Sequence, residues 1–164
     1  MNKQRIAIVP GSFDPITNGH LDIVRRAAQM YDTVYLAVMI NAEKRYMFTL
    51  EQRKRIAEAA VSGIANVTVL SSEGLLWQLA QSLGACAIVK GYRNDTDLAY
   101  EQRMAEYNRA HYPDAETVLL PSESSLTDVS STVVRAKLLA REDLSRYLPA
   151  EAIDEIYKIL PRSL

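Results

Sequence analysis

Two short groups of residues carry donors at spacings that suit anion chemistry. The first is Thr17-Asn18-Gly19-His20, preceded by Gly11 and Ser12. Thr and Asn accept hydrogen bonds from the first N–H groups of a helix, so they predict a helix start near Gly19 and His20. The free N–H groups of that first turn, with an imidazole beside them, can donate to phosphate oxygens. Gly11 would let the backbone come close to a ligand, and Ser12 adds a hydroxyl. The second group is Val129-Ser130-Ser131-Thr132-Val133-Val134-Arg135. It places three hydroxyls at a predicted helix start and a guanidinium one turn further on, a set that suits a triphosphate tail. Each group also has a bland reading. TNG is then an ordinary turn with His20 on the surface, and the serines only cap a helix. Neither GxxxxGK[ST] nor GxGxxG occurs, so a P-loop and a dinucleotide fingerprint are both excluded.

These groups need elements to hold them. Apolar, β-branched-rich runs recur at 5–9, 33–40, 66–71, 85–90 and 116–121. Helix-period segments lie between and after them. His20 begins one, with Leu21, Val24, Ala27 and Ala28 on one face. Thr49 and Gln52 form a capping box that opens a second. Gly84 stops a third. The segment from Leu98 forms a long amphipathic helix that ends before Pro113, SSTVVRAKLLA follows the last strand, and Pro149 opens a final helix. The order is β-α-β-α-β-α-β-α-β-α-α. Near-continuous apolar strands alternating with helices predict an open, doubly wound parallel five-stranded sheet with helices on both faces. Such a sheet binds ligands beyond the carboxyl ends of its strands, which is where PGSFDPITNGH falls.

Composition narrows the class. The 164 residues suit one domain over 1–164, and no linker, repeat or low-complexity tract divides them. Nineteen basic and 20 acidic residues give a net charge of −1, which argues against a general nucleic-acid or membrane-surface binder. Cys86 is the only cysteine, expected to be a buried structural thiol. The run IAIV is too short for a signal peptide, no stretch is long enough to span a bilayer, and a cytoplasmic protein is expected.

TNGH and VSSTVVR together resemble the (H/T)xGH and ISSTxxR signatures of the nucleotidyltransferase superfamily, with Val129 in place of Ile. PGSFDPITNGHLDI, the KxxMFTLEQR stretch from Lys44, KGYR from Lys90 and the acidic DLAYE extend the likeness to the phosphopantetheine adenylyltransferase family. It runs from about Ile6 to the C-terminal helix. The resemblance implies a Rossmann-like nucleotidyltransferase fold. It implies transfer of AMP from ATP to 4′-phosphopantetheine, giving dephospho-coenzyme A and pyrophosphate by direct in-line displacement. It implies His20 as transition-state stabiliser, with Lys44 and Arg93 as its catalytic companions. ATP would meet Ser12, Phe13, His20, Gly91, Tyr92, Arg93, Glu101, Leu126, Thr127, Asp128, Val129, Ser130, Ser131 and Thr132. The acceptor would meet Ser12, Lys44, Leu76, Lys90 and Asn108. Mg²⁺ would arrive with ATP, without a protein ligand set. A homohexamer and feedback by coenzyme A are implied as well.

Read from the residues alone, several of these stay open. Lys44 sits in a polar loop and could be a solvated lysine. Glu101 could be a solvated helix residue and Leu76 a core residue, while Trp77 reads as core or interface. The chain also departs from the family pattern. Lys90 stands where Arg is usual, Ala136 where Glu is common, Asn94 and Asp95 where a small apolar pair is usual, and Leu126 where a bulkier aromatic is usual. Lysine keeps the charge of arginine but loses its planar fork.

Overall fold

The five apolar runs form the strands β1 (Ile6–Gly11), β2 (Thr33–Met39), β3 (Val67–Ser72), β4 (Ala87–Tyr92) and β5 (Glu116–Pro121). The helices are α1 (Asn18–Met30), α2 (Leu50–Val61), α3 (Leu76–Leu83), α4 (Asp95–His111), α5 (Ser131–Leu139) and α6 (Ala150–Ile159). A short 3₁₀ turn, Ser124–Leu126, precedes α5 and has no counterpart in the sequence reading. The computed structural model describes residues 2–160. No helix among them is long and apolar enough to cross a membrane.

All strand pairs are parallel, in the order β3-β2-β1-β4-β5. Side-chain alternation sorts the core into two layers. Ala7, Val9, Val34, Leu36, Val38, Ala87 and Val89 face the layer built with α1, α2 and α6. Ile8, Ala37 and Ile88 face the other, closed by Ala80 of α3 and by Ala85 and Ala115. Both faces of the central strands are therefore dry, as the apolar runs require.

Local rules set the helix ends. Thr49 and Gln52 make the reciprocal capping box expected of them. Gly84 takes the left-handed conformation after α3, with φ 63°, which glycine adopts without strain. Two helices begin earlier than the periodicity suggests. Thr17 caps α1, so Asn18 is already helical. Asn94 caps α4 by accepting from the Asp97 N–H at 2.8 Å, which adds Asp95, Thr96 and Asp97 to the helix. Cys86 corrects an expectation: it is exposed, not buried. It lies just before β4 begins at Ala87, at the amino end of the sheet where the covering layers stop, and Sγ donates to the Ile6 carbonyl at 3.3 Å.

The strand order reverses at β1. Its register with β2 runs through six positions, but with β4 it covers only Ala7↔Ala87 and Ile8↔Ile88. Beyond that point the carboxyl ends of β1 and β4 splay apart. Pro10, which has no N–H for a ladder and would be out of place in a fully paired central strand, falls in the splayed half. A cleft opens there.

Candidate active site

The cleft has a volume of about 570 Å³ and lies between the carboxyl ends of β1 and β4, the start of α1 and the start of α5. Its walls bring together Ser12, Phe13, His20, Lys44, Lys90, Gly91, Arg93, Glu101, Leu126, Val129, Ser130, Ser131 and Thr132. These residues lie on six separate segments of the chain. Five cationic side chains line it against three carboxylates, although the whole chain is slightly negative.

His20 is held by its own helix. As the third residue of α1 it completes a capping box with Thr17. Its Nδ1 accepts from the Thr17 N–H at 3.0 Å, and the Thr17 hydroxyl accepts from the His20 N–H. With Nδ1 an acceptor, the proton of the neutral ring resides on Nε2. Burial, reinforced by the charges of Arg93 and Lys90, holds the imidazole's pKa down, to about 4. The ring is thus a neutral single donor at ordinary pH. Phe13 packs edge-on against it, with centroids 5.0 Å apart. Gly11 makes room for Phe13: a Cβ there would lie 2.8 Å from the ring.

The two signature loops meet at Gly19, where a Cβ would lie 3.3 Å from the Val129 carbonyl. Ser131 Oγ donates to the Pro15 carbonyl at 2.8 Å, and Arg135 Nη1 donates to the Asp14 carbonyl at 2.9 Å. The capping reading holds for Ser130, whose hydroxyl accepts from the Val133 N–H. That leaves the N–H groups of Ser131 and Thr132, at the positive end of α5, for an anion. The Thr132 hydroxyl accepts from Arg135.

The cations sit around this donor set. Lys90 Nζ lies 3.0 Å from Glu101 Oε1, while Glu101 Oε2 is buried with no hydrogen-bond partner among the described residues. Glu101 is therefore not a solvated helix residue. Arg93 pairs with Asp97 at 3.5 Å in a half-exposed contact that a stronger partner can displace at little cost. Lys44 has no ion-pair partner among the described residues and lines the cleft from the loop before α2. Leu76 and Asn108 line a side pocket of about 60 Å³ that shares Lys90 and Glu101 with the main cleft. Leu76 also packs on the second core layer, so both of its readings hold. Tyr92, Thr127 and Asp128 lie outside both linings. Tyr92 ends β4 opposite Pro121, the Thr127 hydroxyl donates to the Ser124 carbonyl, and Asp128 pairs with Arg146. Trp77 stacks on His111, away from the cleft.

Sequence reasoning passed over Asp14 and Arg53. Asp14 is buried, and its carboxylate accepts from the Met47 and Phe48 N–H groups at 2.9 and 3.0 Å. It fastens the first loop to the segment that carries Lys44. In the sequence it is one polar residue in a turn-rich stretch, and nothing local marks its partners 33 and 34 positions away. Arg53 stands among the charged residues that open α2, and its partners Ser12 and Met39 lie 41 and 14 positions away.

Residues 8–137 match a family model described as cytidylyltransferase-like. A phosphopantetheine adenylyltransferase of Lactobacillus acidophilus is 43% identical over 156 residues, which cover 94% of this chain and 97% of that protein. Its namesake from Heliobacterium modesticaldum is 44% identical over 144 residues, 88% of this chain and 86% of that one. A crystal structure from Vibrio parahaemolyticus, provisionally named a nicotinate-nucleotide adenylyltransferase, superposes with a TM-score of 0.72 over 95% of this chain and 93% of that one. At 19% identity that likeness speaks for the fold alone. Fold, paired signature loops and full-length identity agree, and the chain belongs to the phosphopantetheine adenylyltransferase family of nucleotidyltransferase enzymes.

Proposed function

We propose that the enzyme transfers AMP from ATP to 4′-phosphopantetheine by one in-line displacement in this cleft. The observation that carries the reading is the set of unengaged donors at one place: His20 Nε2–H, the first N–H groups of α5, and the Lys44 ammonium. An acceptor phosphate oxygen attacks the α-phosphorus, an O–P bond forms, and the bond to the pyrophosphate oxygen breaks. The acceptor is ionised at neutral pH and needs no general base. Negative charge grows on the oxygens of the transferring group and on the leaving pyrophosphate. His20 donates to that charge from a fixed ring, so it stabilises the transition state with little reorganisation. The neutral ring offers Nε2–H as its one donor while Nδ1 stays the acceptor of the Thr17 N–H. The α5 N-terminus and Arg93 hold the triphosphate, Ser12 and Lys44 bring the two phosphates together, and Lys90 holds the acceptor. Glu101 Oε2 is a ready acceptor for a nucleoside N–H.

Magnesium enters as MgATP. The cleft carboxylates do not fit a resident ion, since Asp14 is engaged with two N–H groups, Asp97 with Arg93 and Glu101 with Lys90. The reading takes the enzyme as one cytoplasmic domain and as a homohexamer that coenzyme A can inhibit. The exposed Tyr100, Met104 and Tyr107 on α4 would be covered in such an assembly, and sedimentation as a monomer would overturn that part.

The test is pyrophosphate release with MgATP and a panel of acceptors, 4′-phosphopantetheine beside nicotinamide and flavin mononucleotides. Release that depends on 4′-phosphopantetheine supports the reading; release with another acceptor, or none, overturns it. Lys90 gives a narrower check. Arginine there would restore two parallel donors for the acceptor phosphate. Lys90→Arg is expected to lower the acceptor KM or leave it unchanged, and a clear rise would contradict the role given to Lys90.

A further inference from the structure

Arg53 is almost fully buried, yet no carboxylate lies within ion-pairing reach of it among the described residues. Its Nη1 donates to the Ser12 carbonyl at 2.6 Å and to the Met39 carbonyl at 2.9 Å. One guanidinium thus ties the exit of β1 to the last residue of β2. Tyr46 lies against its face, with the guanidinium carbon 3.9 Å from the ring centroid. The Tyr46 hydroxyl accepts from the Asn41 N–H at 2.7 Å and approaches Ser12 Oγ at 3.4 Å. Tyr46 lines the cleft, while Arg53 stands behind it. Lys44 lies on the loop between Asn41 and Tyr46, so its path is pinned at both ends by this stack.

The arrangement is a costly way to fill the space. A buried guanidinium loses its hydration, the Asp14 carboxylate acts on it only through space, and the Arg53 Nε–H has no hydrogen-bond partner among the described residues. Two carbonyls and a ring face compensate only in part. What the arrangement does achieve is a fixed relation between Ser12 and the Lys44 loop, with a positive charge behind the wall they share.

We propose that Arg53 and Tyr46 form a positioning pair for the reaction: Arg53 sets Ser12 against the Lys44 loop through the Tyr46 ring, and its charge favours the anionic substrates in front of it. The proposal rests on the reading that this cleft binds the substrate phosphates. The pair touches no reacting atom, so its effect belongs in substrate binding more than in turnover.

The experiment measures kcat, both KM values and the melting temperature for Arg53→Gln, Arg53→Lys and Tyr46→Phe, with His20→Ala as control. Arg53→Gln removes the charge and one of the two carbonyl bonds. It is expected to lower kcat/KM by about 10²-fold, mostly through KM. Arg53→Lys keeps the charge without the fork and is expected to recover about tenfold of that loss. Tyr46→Phe keeps the ring over the guanidinium and frees the 41–45 loop. It is expected to raise KM severalfold with an unchanged melting temperature. A purely structural arginine would lower the melting temperature in both Arg53 variants and leave KM alone, which would overturn the proposal. An unchanged KM in folded Tyr46→Phe would overturn it too, even if Arg53→Gln did not fold. If His20→Ala keeps full activity, the reading of the cleft fails, and that outcome is distinct from a failure of Arg53 and Tyr46 alone.

Discussion

His20→Ala is expected to lower kcat by about 10²–10³-fold while the KM for ATP moves only a few-fold, since it removes one preorganised donor aimed at developing charge. The alanine variant alone is ambiguous, because His20 also completes the α1 capping box. Its loss leaves the Thr17 N–H without its acceptor, at a cost of about 1 kcal/mol. His20→Gln separates the two roles. Glutamine is a natural third residue of a capping box, so it restores the bond to Thr17. It does not place an N–H where Nε2 stands. Stability close to wild type with kcat still down by about 10²-fold or more would assign the loss to chemistry. Recovery of kcat in the glutamine variant would show that His20 only caps.

The same pair of proteins reads the protonation state. His20 has a pKa of about 4 in the folded chain against an ordinary 6.5. As pH falls below 6.5 the unfolded chain takes up the proton first, so the unfolded state gains. Stability is therefore complete above about 6.5, declines as pH falls through 4, and levels off below. His20→Gln lacks this slope, so the stability gap between wild type and variant should change only within that window. In the free enzyme kcat/KM should show no loss from His20 between pH 7 and 5. An imidazole resonance that His20→Gln removes and that titrates near 6.5 would refute the neutral-donor role. Arg93→Gln should move that titration upward, since the Arg93 charge is the largest electrostatic cause after burial.

The fold was largely legible because it depends on patterns within a few residues of each other. Strand runs, the Thr49–Gln52 capping box and the Gly84 stop are local signals; the box and the stop are found where the sequence puts them and the strands within two residues of it, β1 and β4 both reaching two residues further toward the cleft. The errors have local causes too. Asn94-Asp95-Thr96-Asp97 looks like a turn because its residues are turn formers, yet Asn94 uses that same chemistry to cap α4. Cys86 sits in an apolar run, but the strand begins only at Ala87, and a residue just short of the strand lies beyond the layers that cover the sheet. The cleft was legible in its donors and not in its frame. TNGH and VSSTVVR announce themselves by residue type. That Gly19 packs on Val129, that Arg53 reaches Ser12, and that Asp14 holds Met47 and Phe48 are facts of long-range geometry. No spacing rule in one sequence carries them.

Asp14 is where that hidden frame should show the largest effect on stability. Its two carboxylate oxygens each accept one backbone N–H, from Met47 and Phe48, and Oδ2 lies 3.8 Å from Arg135 Nη1. Charge-assisted bonds of this kind contribute roughly 1.5–3 kcal/mol each, and removing the acceptor strands both donors away from water. Asp14→Ala is expected to lower unfolding stability by about 3–5 kcal/mol. Asp14→Asn is the sharper test, since it preserves shape and volume. Its amide oxygen can accept one N–H, but its NH₂ must face the other donor, so a loss of about 1.5–3 kcal/mol is expected. A packing role alone would leave the asparagine variant within about 0.5 kcal/mol of wild type, and that result in urea unfolding, at unchanged m, would sink the proposal. The kinetic consequence also has a direction. Arg135 holds the Asp14 backbone carbonyl, a bond that survives either substitution, so α5 keeps its place. The Lys44 segment loses its anchor. The Asp14 variants should therefore raise KM more than they lower kcat, the reverse of His20, because one residue holds the walls of the cleft and the other meets the charge that forms inside it.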